Sequence, residues 1–363
     1  MRFDRISQER VLQSIVDTTL DKIQNIKAAF DALRNRLGRT PSLLDFYRFE
    51  SVDPVLLATK YENYQTLVAK LTKVPSSLSH VQDRLLALLS CEVLPAKRLH
   101  EVVLLKSLLV HGRLSYEEIR RLFEETGLKH DDLHVGSSIR TLTLSFNTEA
   151  EQKKYVYPAA HVRGEQVVEL TAEFGDNYRD SAAFSSAVDD LLNTAQALIS
   201  DRYTEGQPFV VGKQYSRKDA CRLLCWPKNI TSTIYGYKVD ALTASCPIFV
   251  TYHKSGEITA STDYGDELLD PSTMHWFTRS RRKLTSGEVV PIVANSVALH
   301  VFVKKDDNEG SDFFYLGRAL SEDAVESTMP NDVSLSVVQM NLRFESPVPS
   351  GIYDYFNPSI AQV

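Results

Sequence analysis

The side chains best suited to chemistry in this sequence are aromatic rings interleaved with cations. They fall in three runs: Tyr235-Gly236-Tyr237-Lys238 close behind Trp226, Phe249-Val250-Thr251-Tyr252-His253-Lys254, and Trp276-Phe277-Thr278-Arg279-Ser280-Arg281-Arg282. Nucleic-acid binding needs both ingredients, because cations neutralise phosphates while aromatic faces stack on an unpaired or extruded base. Lys238, His253, Lys254, Arg279, Ser280, Arg281 and Arg282 are the candidates for phosphate contact, and Tyr235, Tyr237, Tyr252 and Trp276 are those for a base. Asp263 or Asp266, flanking Tyr264, is placed to accept from a cytosine amino group. Each has a plainer reading. Alternating aromatics on strands are commonly half-buried packing, and basic runs and loop acids are commonly solvated surface. A strand through Tyr235 and Tyr237 sets both rings on one face, and that face can equally be core.

Other chemistry is searched for and not found. Gly206 to Gly212 has the wrong spacing for a phosphate-cradling loop, and Lys213 is followed by Gln214 where a metal-binding Ser or Thr is required. There is no strand-turn-helix nucleophile elbow and no His-Glu-x-x-His zinc motif. Cys221, Cys225, Cys246 and His253 match a closed zinc site in number. Their spacing fits better with small buried hydrophobes, because Cys221 and Cys225 lie in a helical segment beside Leu224 and Trp226. No metal and no cofactor is therefore expected. A nuclease would have to use Glu151, Lys153 or His253, so the chain is read as non-catalytic.

The elements that must position these residues read as helices first and strands second. Phe3 to Leu37 carries apolar residues mostly three to five apart, one or two amphipathic helices ending at Gly38, and Asp53-Pro54 opens another helix through Leu67. A helix over Ala96 to Val110 leads to Ser115-Tyr116-Glu117-Glu118, a capping box that starts a helix ending at Gly127. A short helix over Asp132 to Thr141 and strand-like runs Tyr155–Val162 and Gln166–Leu170 complete the order of a winged helix. Ser181 to Tyr203 reads as a helix bridging two modules. Beyond it, Thr233–Val239, Cys246–His253, Val289–Val293, Ala298–Lys304, Phe313–Leu316 and Ser334–Phe344 read as strands of a small twisted or barrel-like sheet.

The composition agrees with this division. A chain of 363 residues is expected to hold two domains. The net charge of -6 excludes a generic polycation, but its distribution is uneven. Residues 204–305 carry 13 Lys and Arg against 9 Asp and Glu, whereas 306–363 carry 2 against 10, so a basic surface fits only part of the second module. No secretory signal, membrane span or disulfide density is seen, and a cytoplasmic, membrane-free protein is expected.

Several segments resemble a known family. Leu223-Leu224-Cys225-Trp226-Pro227-Lys228, Ser232 to Lys238, Cys246 to Lys254, Trp276 to Arg282, Val301 to Asp307 and Phe313 to Gly317 are similar, in order, to a bacterial C-terminal domain of unknown function. That domain follows a DEAD/DEAH-type helicase, often with a phospholipase-D-like nuclease in front, in modification-dependent (Type IV) restriction enzymes. Ser7 to Leu12 and Leu37 to Phe46 resemble the region after the helicase in the same proteins. The resemblance implies a part of a longer phage-defence protein. Its fold would be α+β, an N-terminal helical and winged-helix-like coupler followed by a small SRA-like (PUA-like) β-barrel. Boundaries consistent with that are a helical coupler at 1–95, its winged-helix-like part at 96–175, a connecting helix at 176–203 and the SRA-like domain at 204–363. SRA domains read 5-methylcytosine by flipping the base. The implied partners are double-stranded DNA carrying 5-methyl- or 5-hydroxymethylcytosine and the parent's helicase and nuclease domains. The rival reading is a regulatory protein-interaction module with the aromatic cluster as its hot spot.

Overall fold

The computed structural model describes residues 23–164, 166–204, 206–253, 265–329 and 332–357. The chain divides into a helical unit that ends at Gln207, with Pro227–Asn229 grouped with it, and a sheet unit that begins at Pro208. The architecture is α+β. No described helix is long and apolar enough to cross a membrane.

The first described helix of the helical unit, α1 (Ile23–Leu37), buries Ile26, Phe30 and Leu33 on one face and ends at Gly38. The next helix, α2 (Leu43–Arg48), is fixed by polar groups: Ser42 and Asp45 form a capping box, and Asp45 takes both ends of the Arg39 guanidinium. Asp190 accepts from the free N–H groups of Leu43 and Leu44 at 2.7 and 3.1 Å, closing the helix start from far along the chain. The single helix expected from Asp53 through Leu67 is two, α3 (Pro54–Thr59) and α4 (Tyr64–Thr72). Glu62 turns the chain with φ of 71°, and Asn63 begins the second helix by accepting from Thr66. Two long apolar helices follow, α5 (His80–Glu92) and α6 (His100–His111).

After α6 come β1 (Arg113–Ser115), α7 (Tyr116–Glu125), α8 (Asp132–Leu142) and α9 (Glu149–Tyr155), then the hairpin β2 (Ala160–Arg163) and β3 (Val167–Leu170). The expected capping box at Ser115 and Glu118 is present. Tyr155 closes a helix rather than opening a strand, because Thr148 and Glu151 form a further capping box ahead of it. The three strands lie in the order β1-β3-β2. α10 (Ala172–Asp180) and α11 (Ala182–Arg202) complete the unit. Although α11 was expected as a bridge, it buries Val188, Leu191, Leu192, Ala195 and Leu198 in the unit's own core. Below α6 and α8 lies a buried ion pair, in which the Arg98 Nε sits 3.0 and 3.1 Å from the two Glu101 oxygens. Arg98 also donates to Ser137, and Thr141 donates to Glu101, so the pair ties α6 to α8.

The sheet unit starts with β4 (Gln214–Tyr215) and α12 (Arg217–Leu223), then builds β5 (Ser245–His253), β6 (Glu267–Asp270), β7 (Thr273–Phe277), the one-turn α13 (Val290–Val293), β8 (Ala298–Asp306), β9 (Phe313–Met329), β10 (Asp332–Phe344) and α14 (Ser350–Phe356). The path of the sheet is β5-β8-β9-β10-β7-β6, with β4 paired to β9. It curls into a half-barrel. β5 and β8 are parallel, and the rest of the path is antiparallel. Two expected strands are absent. Val289–Val293 forms α13 because Pro291 suits a first helical turn and cannot donate to a ladder. Thr233–Val239 makes only isolated bridges around Gly236, whose φ of 80° turns the chain.

Both faces of the β5/β8 pair are covered, which is why these strands read as near-continuous apolar runs. Cys246, Ile248, Val250, Leu299, Val301 and Val303 pack into the core that also holds Trp276 and Phe356. On the opposite face Phe249 stacks on Phe302 at 4.8 Å, and Phe209 meets Phe302, Tyr315 and His300.

His300 is buried in this aromatic layer, which pushes its imidazole down to about 3, with the Arg318 charge adding to the effect. Burial likewise pushes His100 in the helical unit down to about 4, aided by the Arg98 charge. Unfolding returns each ring to an ordinary value of 6.5. Below that pH the unfolded chain binds protons that the folded chain refuses, so stability falls as the pH drops toward the folded values. His300→Gln is expected to make the urea midpoint of the sheet unit fall less between about pH 7 and 5 than in the parent chain. Equal falls in both proteins would show that His300 is not the buried neutral group.

Candidate nucleic-acid interface

Gly236 separates two tyrosines that the sequence placed on one face. With the chain turned there, Tyr235 is 68% exposed and Tyr237 is 1% exposed. Tyr237 meets Trp276 edge-on at 5.1 Å, and Trp276, 3% exposed, belongs to the half-barrel core. A base pocket lined by Tyr237 and Trp276 is therefore corrected: these two rings fill the barrel, and a base would have to displace them. The signal for this was Gly236 itself, since a glycine in a strand-like run marks a turn or bulge.

Tyr237 instead anchors the loop. Its hydroxyl donates to Glu288 Oε1 at 2.9 Å, and Glu288 also accepts from Arg279 Nη2 and Arg282 Nε. The Arg279 guanidinium lies 4.8 Å from the centre of the Tyr237 ring. Burial works to raise the Glu288 carboxyl, but the hydrogen bonds from Arg282 and Tyr237 outweigh it and hold the group below the usual carboxylate range. Burial, followed by the Glu288 charge, pushes the Tyr237 phenol up, so it stays a donor. Glu288 was not picked out from the sequence. It lies just ahead of the run Val289–Val293 that reads as a strand, and nothing local marks an acid that pairs with arginines six and nine residues earlier.

The remaining candidates separate. Arg279 and Arg282 are committed to Glu288, whereas Arg281 between them is exposed, has φ of 63° and finds no side-chain partner among the described residues. Ser280 is half-buried and Lys283 exposed. Lys238 donates to Thr233 Oγ1 at 2.9 Å, tying the Tyr235 loop to itself. Tyr252 is half-buried, donates to Asn357 and accepts from the Leu268 N–H, so it secures β6 and the chain after α14. Asp266 accepts from the Phe277 N–H at 3.0 Å and so also has a structural task. Lys254, Asp263 and the His253 side chain lie outside the described residues. Among the described residues, Tyr235 is the one aromatic side chain left exposed.

Cys221, Cys225 and Cys246 are buried, with burial pushing the Cys221 thiol up to about 12. Among the described residues no group of three or more His, Cys, Asp and Glu side chains is arranged to hold a metal ion.

Both units match domain families of unknown function. Residues 209–356 match the one described as domain of unknown function (DUF3427), and residues 26–204 match domain of unknown function (DUF8090). No curated protein matches the chain at a significant level. Among solved structures, the SUVH5 SRA domain in complex with fully methylated CG DNA is 15% identical with a TM-score of 0.24, over 38% of this chain and 91% of that one. KRYPTONITE in complex with mCHG DNA and SAH is 13% identical with a TM-score of 0.28, over 48% and 40%. Arabidopsis thaliana SUVH6 in complex with SAM is 14% identical with a TM-score of 0.32, over 78% and 43%. Scores of this size establish no shared fold, so the case for DNA binding has to come from the side chains of this chain.

Proposed function

We propose that this chain is the DNA-reading part of an ATP-dependent, modification-dependent restriction helicase-nuclease. In this reading the sheet unit is an SRA-like module that recognises 5-methyl- or 5-hydroxymethylcytosine by base flipping, and the chain itself carries out no catalysis. The observation that carries it is Tyr235, an exposed ring at a turn pinned by Tyr237 to the segment that presents Arg281 and Lys283. An exposed aromatic on one loop, tied through Tyr237 and Glu288 to a segment with exposed cations, supplies the two ingredients of contact with an unstacked base and its phosphates. The sequence resemblance to the post-helicase region of Type IV restriction enzymes supplies the context, including a cytoplasmic setting.

The helical unit supports the role of coupler. The order from α6 to β3 is helix, strand, three helices and hairpin, with the sheet order β1-β3-β2, which resembles a winged helix carrying one extra helix, α9. A winged helix that reads DNA presents the second helix of its pair to the major groove. Here that helix is α8, and Val135, Ser137, Ser138, Ile139, Thr141 and Leu142 are all buried. With most of α8 packed inside the unit, DNA contact falls to the sheet unit.

Tyr235→Ala is expected to weaken binding of a methylated duplex by about 1 to 3 kcal/mol, roughly 5- to 150-fold, if the ring stacks on a base. Fluorescence anisotropy with a labelled duplex measures this. Binding that is unchanged by the substitution would remove Tyr235 from the interface and leave the protein-interaction reading ahead.

A further inference from the structure

We infer that Arg281 is a phosphate contact and that Glu288 is the residue that positions it. This rests on the DNA-reading function proposed above and adds a division of labour within the basic run Arg279 to Lys283. Three arginines stand in four positions, and the structure treats them differently. Arg279 and Arg282 turn onto one carboxylate, while Arg281 points to solvent.

Arg281 adopts this geometry against its own backbone preference. A φ of 63° places a long side chain in the left-handed region, a strained conformation that persists only where the surroundings over-determine it. The neighbours do so here. The Arg282 N–H donates to Ser336 O at 3.2 Å, the Arg282 side chain returns to the Arg281 carbonyl at 3.3 Å, and Lys283 N donates to Ser286 Oγ at 3.0 Å. Glu288 holds the arginines on both sides of Arg281, and Tyr237 holds Glu288. With its flanking cations fixed inward, Arg281 is the one arginine of the run presented outward. The fixed backbone sets the point from which the Arg281 side chain reaches out, so contact with an anion does not also require ordering of the loop.

The grip on Glu288 also sets the charge available to DNA. Arg279 and Arg282 share the one negative charge of Glu288 and keep one net positive charge between them, so the exposed cations that the run offers are Arg281 and Lys283. The sequence alone, which counts the basic run as a whole, overstates its electrostatic reach.

The test is the salt dependence of duplex binding by the full chain, measured by anisotropy at several salt concentrations. Arg281→Ala is expected to lower affinity several-fold and to reduce the slope of log K against log salt by about one, the signature of one lost phosphate contact. Glu288→Gln, nearly isosteric, is expected to produce the same loss of affinity and slope although Arg281 is still present. The double variant is expected to be no worse than either single one. Should Glu288→Gln fail to fold, as judged by its thermal transition, Arg282→Lys loosens the same grip without changing net charge and carries the same expectation. If the parent chain binds DNA and Glu288→Gln binds as well or better with a steeper slope, Glu288 competes with phosphate for the arginines and the positioning role is overturned. If the parent chain binds no duplex, the DNA-reading function falls, and this inference with it.

Discussion

Glu101→Ala is expected to destabilise the helical unit by about 3 to 5 kcal/mol, the usual result of leaving one partner of a buried ion pair uncompensated. Glu101 is fully buried and Arg98 is 7% exposed, so the stranded guanidinium has no ready route to water. The loss would also remove the bond from Thr141 to Glu101, one of the polar ties between α8 and α6. Urea unfolding followed by far-UV circular dichroism gives the magnitude. Arg98→Met combined with Glu101→Leu is expected to recover most of the loss, because an apolar pair of similar volume incurs no desolvation penalty. A single-variant loss below about 1 kcal/mol would mean that water reaches the pair, which is the behaviour of a surface salt bridge.

Trp276→Ala is expected to cost the sheet unit about 3 to 5 kcal/mol, the range for removing a large buried aromatic and leaving a cavity. Trp276 packs edge-on against Tyr237 and sits in the core with Met274, Val338 and Met340. Removing it also takes away the ring against which Tyr237 holds the binding loop, so DNA affinity should fall as a consequence of lost order. The contrast with Tyr235 decides the matter. Tyr235→Ala touches an exposed ring and is expected to change stability by less than about 0.5 kcal/mol. A Trp276→Ala protein of normal stability that had lost only its discrimination of methylated DNA would return Trp276 to a base pocket.

How much of this was legible in the sequence depended on the range of the interaction involved. Helix starts were legible where capping is local, as at Ser115 and Glu118. The runs Cys246–His253 and Ala298–Lys304 read as strands, and they form the parallel pair β5 and β8. The division into helices and then sheet followed from the change of period. What failed was decided by a single residue overriding a pattern: Pro291 made a helical turn of an apolar run, and Gly236 put neighbouring tyrosines in opposite environments. Asn63 likewise divided one amphipathic run into two helices.

The candidate site was legible as a cluster of residue types and illegible as a geometry. Tyr237, Arg279 and Arg282 do come together, but they meet around Glu288, which no local pattern singles out, with Trp276 packed against the Tyr237 ring. Sequence spacing ranks all the basic residues of a run alike. Only the fold separates the arginines held inward from the one presented outward, because that separation depends on a carboxylate brought in from the turn ahead of α13.

The most direct measurement is the affinity of the full chain for one short duplex with and without a central 5-methylcytosine, at two salt concentrations. The expected result is several-fold tighter binding of the methylated duplex, with a ratio that survives the rise in salt even as both affinities fall. Phosphate contacts carry the salt dependence, and a methyl group is sensed only by contact with the base. Equal affinities for the two duplexes at both salt concentrations would contradict modified-base reading.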